Sequence, residues 1–190
     1  MRSAHAAPTI LVFGDSLSAG YGIELAQSWP SLMADRLKQE KFPHALVNAS
    51  ISGETTAGGR TRLPALLKQH RPAVVVLALG ANDGLRGLPI EASRANLQAM
   101  AKASRQAGAR VLIAGMRLPP NYGTAYTQQF SQMFADVAKA EKSGLLPFLL
   151  EPIALDDAAF QPDRLHPTAA AQPKIRDHIW PAVKALLKPR

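Results

Sequence analysis

The stretch ILVFGDSLSAGYG, residues 10–22, decides how the rest of the chain is read. Four apolar residues, Ile10 to Phe13, run without polar alternation into Gly14-Asp15-Ser16, and small residues and glycines follow. An unalternating apolar run is how a strand covered on both faces of a parallel sheet reads. Thr9–Phe13 is therefore the first strand candidate, and Ala45–Val47, Val74–Leu79, Arg110–Ala114 and Pro147–Leu149 are the others. A serine placed where such a strand ends, with Ser18, Ala19 and Gly20 after it, stands where other groups can come close.

Helical patterns separate these runs. Ser28 can cap a helix reaching about Gln39, and Thr56–Gln69 carries Leu63, Leu66 and Leu67 at helical spacing. Ile90–Gln106 ends before Gly108, and Ala125–Lys142 before Gly144, both good helix terminators. Thr168–Leu187 forms the last helix, with Pro173 tolerated near its start and a break or bend expected at Pro181. Strands alternating with helices, joined by right-handed crossovers, predict a three-layer α/β/α sandwich around a five-stranded parallel sheet. Residues 9–190 read as one domain.

Ligands of such sheets bind beyond the carboxyl ends of the strands. The residues standing there are Gly14-Asp15-Ser16, Asn48 to Gly53, Gly80-Ala81-Asn82-Asp83, Met116 to Gly123 and, after a longer loop, Asp163 to Pro167. One serine, one glycine, one asparagine, one aspartate and one histidine thus meet on a single rim. These are the parts of an acyl-transfer site. A serine hydroxyl is a weak nucleophile and needs a base, which His166 can be. The other ring nitrogen needs a fixed acceptor, and Asp163, three residues earlier, is near enough to be one, or to cap the helix that follows. An oxyanion needs donors, and the Ser16 and Gly53 backbone N–H groups and the Asn82 side-chain amide are at hand. Asp15 and Asp83 read as turn-holding carboxylates. Ser18, Ser50 and Ser52 read as loop hydroxyls, and His5, His44, His70 and His178 as ordinary surface or core histidines.

Composition narrows the alternatives. The net charge is +8, but the basic residues are spread along the chain and aromatics make up only 6%, which argues against a nucleic-acid platform. No apolar run is long enough to span a bilayer, so no stable membrane insertion is expected. Cysteine is absent and no His-Glu-x-x-His pattern occurs, so no metal and no other cofactor is expected. Ala4-His5-Ala6 has the small-x-small form of a signal-peptide end without the charged and apolar parts. Residues 1–8 are read as a disordered terminus or the remnant of a removed leader.

The chain resembles the GDSL esterases, the SGNH-hydrolase superfamily. Gly14-Asp15-Ser16-Leu17, Gly53 within ISGETT, Gly80-Ala81-Asn82-Asp83 and Asp163-Arg164-Leu165-His166-Pro167 match that family's blocks in order, although Ala81 stands where glycine is common. The resemblance implies an SGNH hydrolase fold, flavodoxin-like, with Ser16 as nucleophile, His166 as base, Asp163 as its partner, and Ser16, Gly53 and Asn82 as the oxyanion hole. GDSLSAGYGI, LPPNYG and AAQPKI look like the compact periplasmic bacterial branch of thioesterase, lysophospholipase and arylesterase enzymes. That implies a periplasmic or secreted monomer acting on small ester substrates, aryl or short-to-medium acyl esters with thioesters and lysophospholipids among them. Met116, Leu118, Pro119 and Tyr122 are expected to form a flexible substrate wall. A carbohydrate O-deacetylase and a non-catalytic binding module on the same scaffold are the rival readings.

Overall fold

The computed structural model describes residues 7–187, so the Ala4-His5-Ala6 reading, His5 and most of the expected terminal remnant lie outside the described residues. Strand β1 (Thr9–Gly14) turns into the short helix α1 (Ser16–Ala19), and helix α2 (Trp29–Gln39) leads back to β2 (Ala45–Asn48). Helix α3 (Thr56–His70) precedes β3 (Val74–Ala78), which is followed by the short α4 (Ala81–Leu85) and by α5 (Ile90–Gln106). Strand β4 (Arg110–Ala114), helix α6 (Thr124–Ala140), strand β5 (Gly144–Leu146) and helix α7 (Gln172–Leu187) complete the order.

The five strands form one parallel sheet in the order β2-β1-β3-β4-β5, the flavodoxin-like winding. Helix α5 packs against both α3 and α6, and α2 packs against α7, so the sheet lies inside an α/β/α sandwich. The central strands show why their sequences lack alternation. Ile10, Leu11, Val12 and Phe13 on β1, and Val75, Val76 and Leu77 on β3, are wholly buried. Each such side chain contributes roughly 1.5–3 kcal/mol relative to staying exposed. The helices supply the facing layers: α5 buries Ser93, Leu97, Met100, Ala101 and Ser104, and α7 buries Ile175, Ile179, Trp180, Val183 and Leu187. Those spacings trace one face of a 3.6-residue helix.

Three local expectations are corrected. The fifth strand is Gly144–Leu146, not Pro147–Leu149; it pairs with Leu112–Ala114. Pro147 has no N–H to continue the ladder. Only Leu149 N–H rejoins β4's extension, on the Gly115 carbonyl at 2.9 Å. Helix α7 begins at Gln172, after a 3₁₀ turn over Ala169–Ala171, and runs unbroken through Pro181. The bond that proline forgoes is to the carbonyl of Asp177, an exposed residue that water can reach. Ser28 precedes α2 but does not cap it with its side chain. Its hydroxyl donates to Leu25 O, and the Trp29 N–H is taken instead by Gln172 Oε1 at 2.9 Å, which ties α2 to α7.

A Cβ at Gly115 would lie 2.4 Å from the Pro147 carbonyl oxygen, a backbone atom that cannot swing aside. Gly115→Ala should therefore cost about 1–3 kcal/mol in urea denaturation. Unchanged stability would mean that the chain after β5 does not pass against Gly115.

Candidate active site

The end of β1 is held in place by its neighbours. Asp15 caps α1, its Oδ1 accepting the Leu17 N–H at 3.0 Å. Gly14 N–H donates to Ser50 Oγ at 3.0 Å, Ile51 N–H to the Gly14 carbonyl at 3.0 Å, and Asn48 Nδ2 to the Ser18 carbonyl at 2.8 Å. The loop after β2 is thereby laced to the turn that carries Ser16. The same loop carries Gly53, whose φ of 80° lies in the left-handed region that suits glycine.

Across the rim, the loop before α7 reaches back to that turn. His166 Nε2 lies 2.8 Å from Ser16 Oγ, and His166 Nδ1 lies 2.6 Å from Asp163 Oδ2. Asp163 Oδ1 accepts the backbone N–H groups of Leu165 at 2.9 Å and His166 at 3.0 Å. The His166 backbone N–H, then its ring, then the Leu165 N–H hold the Asp163 carboxyl down at about 2. A carboxylate at Nδ1 keeps the proton on that nitrogen and leaves the Nε2 lone pair toward the serine. Tyr21, from the glycine-rich end of the opening stretch, lays its ring 4.3 Å from the imidazole. Gln161 Nε2 donates to the carbonyls of Tyr21 and Pro167 at 2.8 and 3.0 Å, tying the two loops together.

The third element of the rim is α4. Asn82 Nδ2 donates to the Glu54 carbonyl at 3.0 Å, which fixes the amide beside Gly53. The next residue, Asp83, is a clamp. Its carboxylate accepts the Thr56 N–H at 2.9 Å, the Thr56 hydroxyl at 2.5 Å and the Ser93 hydroxyl at 3.0 Å, all buried. The loop bearing Gly53 and the helix bearing Asn82 are thus held by one network. Among the described residues, the N–H groups of Ser16 and Gly53 have no protein acceptor.

Ser16, Gly53, Asn82 and His166 all line one cavity of roughly 590 Å³, with Asp15 in its wall; Asp163 stands behind His166. The remaining wall is largely apolar, with Leu17, Leu85, Leu150 and Phe148 among its side chains. Met116, Leu118 and Pro119 are in that wall. Tyr122 is not among the lining residues, a correction to the expected wall. Its hydroxyl turns away to donate to the Leu85 carbonyl at 2.9 Å, and Tyr126 donates likewise to Leu88 O at 2.8 Å. The expected flexible segment is therefore braced at two points. Sequence reasoning missed Tyr21, whose signal was the aromatic between two glycines, and Arg117 and Arg164, which also line the cavity. Among the described residues no cluster of His, Asp or Glu gathers closely enough to hold a metal ion.

A serine–histidine–aspartate chain, half-buried at Ser16 and His166 and open to solvent at Asp163, beside free backbone donors at the carboxyl edge of a flavodoxin-like sheet, is the constellation of a serine hydrolase. The comparisons agree. The sequence profile of the GDSL-like lipase/acylhydrolase family matches residues 12–172, and the chain belongs to that family. It is 48% identical over 182 residues to Esterase TesA of Pseudomonas aeruginosa, covering 96% of this chain and 90% of that one. It is 43% identical over 184 residues to the Escherichia coli protein named Thioesterase 1/protease 1/lysophospholipase L1, covering 97% and 87%. The crystal structure of the psychrotrophic esterase EstA from Pseudoalteromonas, inhibited by monoethylphosphonate, superposes with a TM-score of 0.90 at 41% identity, covering 94% of this chain and 98% of that one.

Asp15 gives the site a pH signature. It is 1% exposed, and among the described residues its Oδ2 has no partner. Burial, opposed by the Leu17 N–H and reinforced by the charge of Asp83, pushes its carboxyl from 3.8 up to about 7. The native state then holds a proton that the unfolded state releases near 3.8, so stability falls as pH rises from about 4 through about 7. Asp163 acts in the opposite sense: the stability it contributes is present above 3.8 and lost as pH falls through about 2. Asp15→Asn should flatten the decline between pH 4.5 and 7.5 in urea titrations, as expected from these values. An unchanged slope would show that Asp15 is ionised throughout.

Proposed function

We propose that this carboxylic ester hydrolase works through an acyl-enzyme on Ser16. The observation that carries the reading is the pair of contacts at 2.8 and 2.6 Å that links Ser16 through His166 to Asp163. Ser16 Oγ attacks the ester carbonyl carbon while His166 Nε2 takes the hydroxyl proton. Asp163 holds the imidazolium that forms. The negative charge developing on the carbonyl oxygen is received by the Ser16 and Gly53 N–H groups and by Asn82 Nδ2. The tetrahedral intermediate collapses, the leaving group departs with the proton from His166, and water repeats the sequence to release the acid.

The substrate reading follows from the wall. Roughly 590 Å³ lined mainly by aliphatic and aromatic side chains suits a short-to-medium acyl chain better than an acetyl group alone. This supports aryl and acyl esters, with acyl thioesters and lysophospholipids in reach, over carbohydrate deacetylation. Met116, Leu118 and Pro119 are the proposed acyl contacts, and Tyr122 acts on the pocket through Leu85. We read residues 9–190 as one monomeric hydrolase domain acting without a cofactor. No helix among the described residues is long and apolar enough to cross a membrane. The likeness of GDSLSAGYGI and AAQPKI to the periplasmic branch supports a periplasmic or secreted location.

The test is turnover of p-nitrophenyl esters from acetate to palmitate, with Ser16→Ala as the blank. The wild type should hydrolyse short and medium chains and the variant none. Equal rates for the two across the panel would refute the acyl-enzyme. Asn82→Ala should lower kcat by about 10²–10³, the usual effect of losing one oxyanion donor. Near-normal kcat would remove Asn82 from the oxyanion hole.

A further inference from the structure

The imidazole of His166 is gripped at its edges. Asp163 Oδ2 meets Nδ1 and Ser16 Oγ meets Nε2, on opposite edges of the ring. Two edge contacts fix where the ring sits and constrain its tilt only weakly. Tyr21 supplies a contact on the face: its ring centroid lies 4.3 Å from that of the imidazole, with the two planes 36° apart. Among the described residues no other aromatic ring lies against His166. Asp163 leaves work for such a contact. Its side chain is 40% exposed, so water screens the charge it presents to the base.

The backbone of Tyr21 joins the two halves of the site. Its N–H donates to the Ser16 carbonyl at 3.3 Å. Its carbonyl accepts Gln161 Nε2 at 2.8 Å, and the Gln161 N–H donates to the His166 carbonyl at 2.8 Å. The turn of the nucleophile and the loop of the base are thus connected through this one residue. Gly22 lets them come so close, since a Cβ there would run into the Gln161 side-chain amide. The ring itself is not spent on the core. Tyr21 is 52% exposed, and among the described residues its hydroxyl has no hydrogen-bond partner. What the side chain offers is its face, and it offers that face to His166.

We infer that Tyr21 is a positioning residue acting through His166, its ring face stabilising the imidazolium in the transition states of acylation and deacylation. The inference rests on the acyl-enzyme reading of Ser16. In acylation His166 Nε2 takes the proton of Ser16 Oγ and gives it to the leaving group. In deacylation it takes a proton from water and returns it to Ser16 Oγ. Both barriers are therefore crossed with positive charge on the imidazole. The face of an aromatic ring carries negative potential and attracts a cation set over it. The neutral imidazole of the resting enzyme feels less of this attraction. The contact therefore lowers the barriers rather than tightening substrate binding.

The experiment measures kcat and KM for p-nitrophenyl butyrate. Tyr21→Leu keeps an apolar side chain without a ring face. It should lower kcat and kcat/KM together by about three- to thirtyfold with KM unchanged, the reach of a cation–π contact. The conservative Tyr21→Phe should restore the rate. Phenylalanines bearing one, two and three ring fluorines, placed at the same position, should then lose kcat stepwise. Fluorine drains negative potential from the face and barely changes the ring's size, so a purely structural role would not follow that series. If Tyr21→Leu does not fold, the fluorine series alone decides. A flat series, a loss confined to KM, or a Tyr21→Leu variant as fast as the wild type overturns the role of Tyr21. The wild type against Ser16→Ala separates the two failures. With that difference intact, only the role of Tyr21 falls; without it, the acyl-enzyme reading falls and the role of Tyr21 with it.

Discussion

The 2.8 Å contact between Ser16 Oγ and His166 Nε2 joins side chains 150 residues apart, and the rest of the architecture can be understood as what holds it. A hydroxyl and an imidazole on two surface loops would lose such a contact to thermal motion. Here one partner stands on the turn that ends a strand wholly buried from Ile10 to Phe13. The other stands in a loop whose two ends are secured. Gln161 ties it to Tyr21, and Phe160 and Pro167 bridge each other across it. Asp163 then uses both carboxylate oxygens to shape the turn between. The geometry is set before any substrate arrives, which is what electrostatic preorganisation requires.

The same economy of connections governs the oxyanion side. Gly53 comes from the loop after β2 and Asn82 from helix α4 after β3, and their relation is not set by the sheet alone. Asp83 gathers Thr56 and Ser93 onto one buried carboxylate, and Asn82 reaches over to Glu54. A buried carboxylate is tolerable only when its oxygens are satisfied, and Asp83 is. Asp15 shows the opposite solution: with one oxygen unpartnered, it keeps its proton to a far higher pH.

The fold was legible because parallel strands buried on two faces leave an unmistakable trace, and β1, β3 and β4 are of that kind. β5 was misplaced because Pro147–Leu149 is apolar enough to read as a strand, while the ladder ends where Pro147 lacks an N–H. Ser16, Gly53 and Asn82 could be placed on one rim because strand topology sends the residues after each strand there, whereas Asp163 and His166, in a loop well beyond β5, were picked out by their residue types and by the family resemblance. What remained hidden depends on side-chain direction across long separations. Tyr122 turns to Leu85, Tyr21 stacks on His166, and Gln172 caps a helix that starts at Trp29, 143 residues earlier. No local pattern encodes these, since each is decided only after the layers pack.

The most direct measurement is the intact mass of the protein after exposure to a p-nitrophenyl alkylphosphonate, followed by peptide mapping. The account predicts one covalent adduct, on Ser16, formed with release of one nitrophenolate and slowed severely by His166→Ala. An adduct on any other residue, or labelling of Ser16 at the same rate without His166, would contradict it.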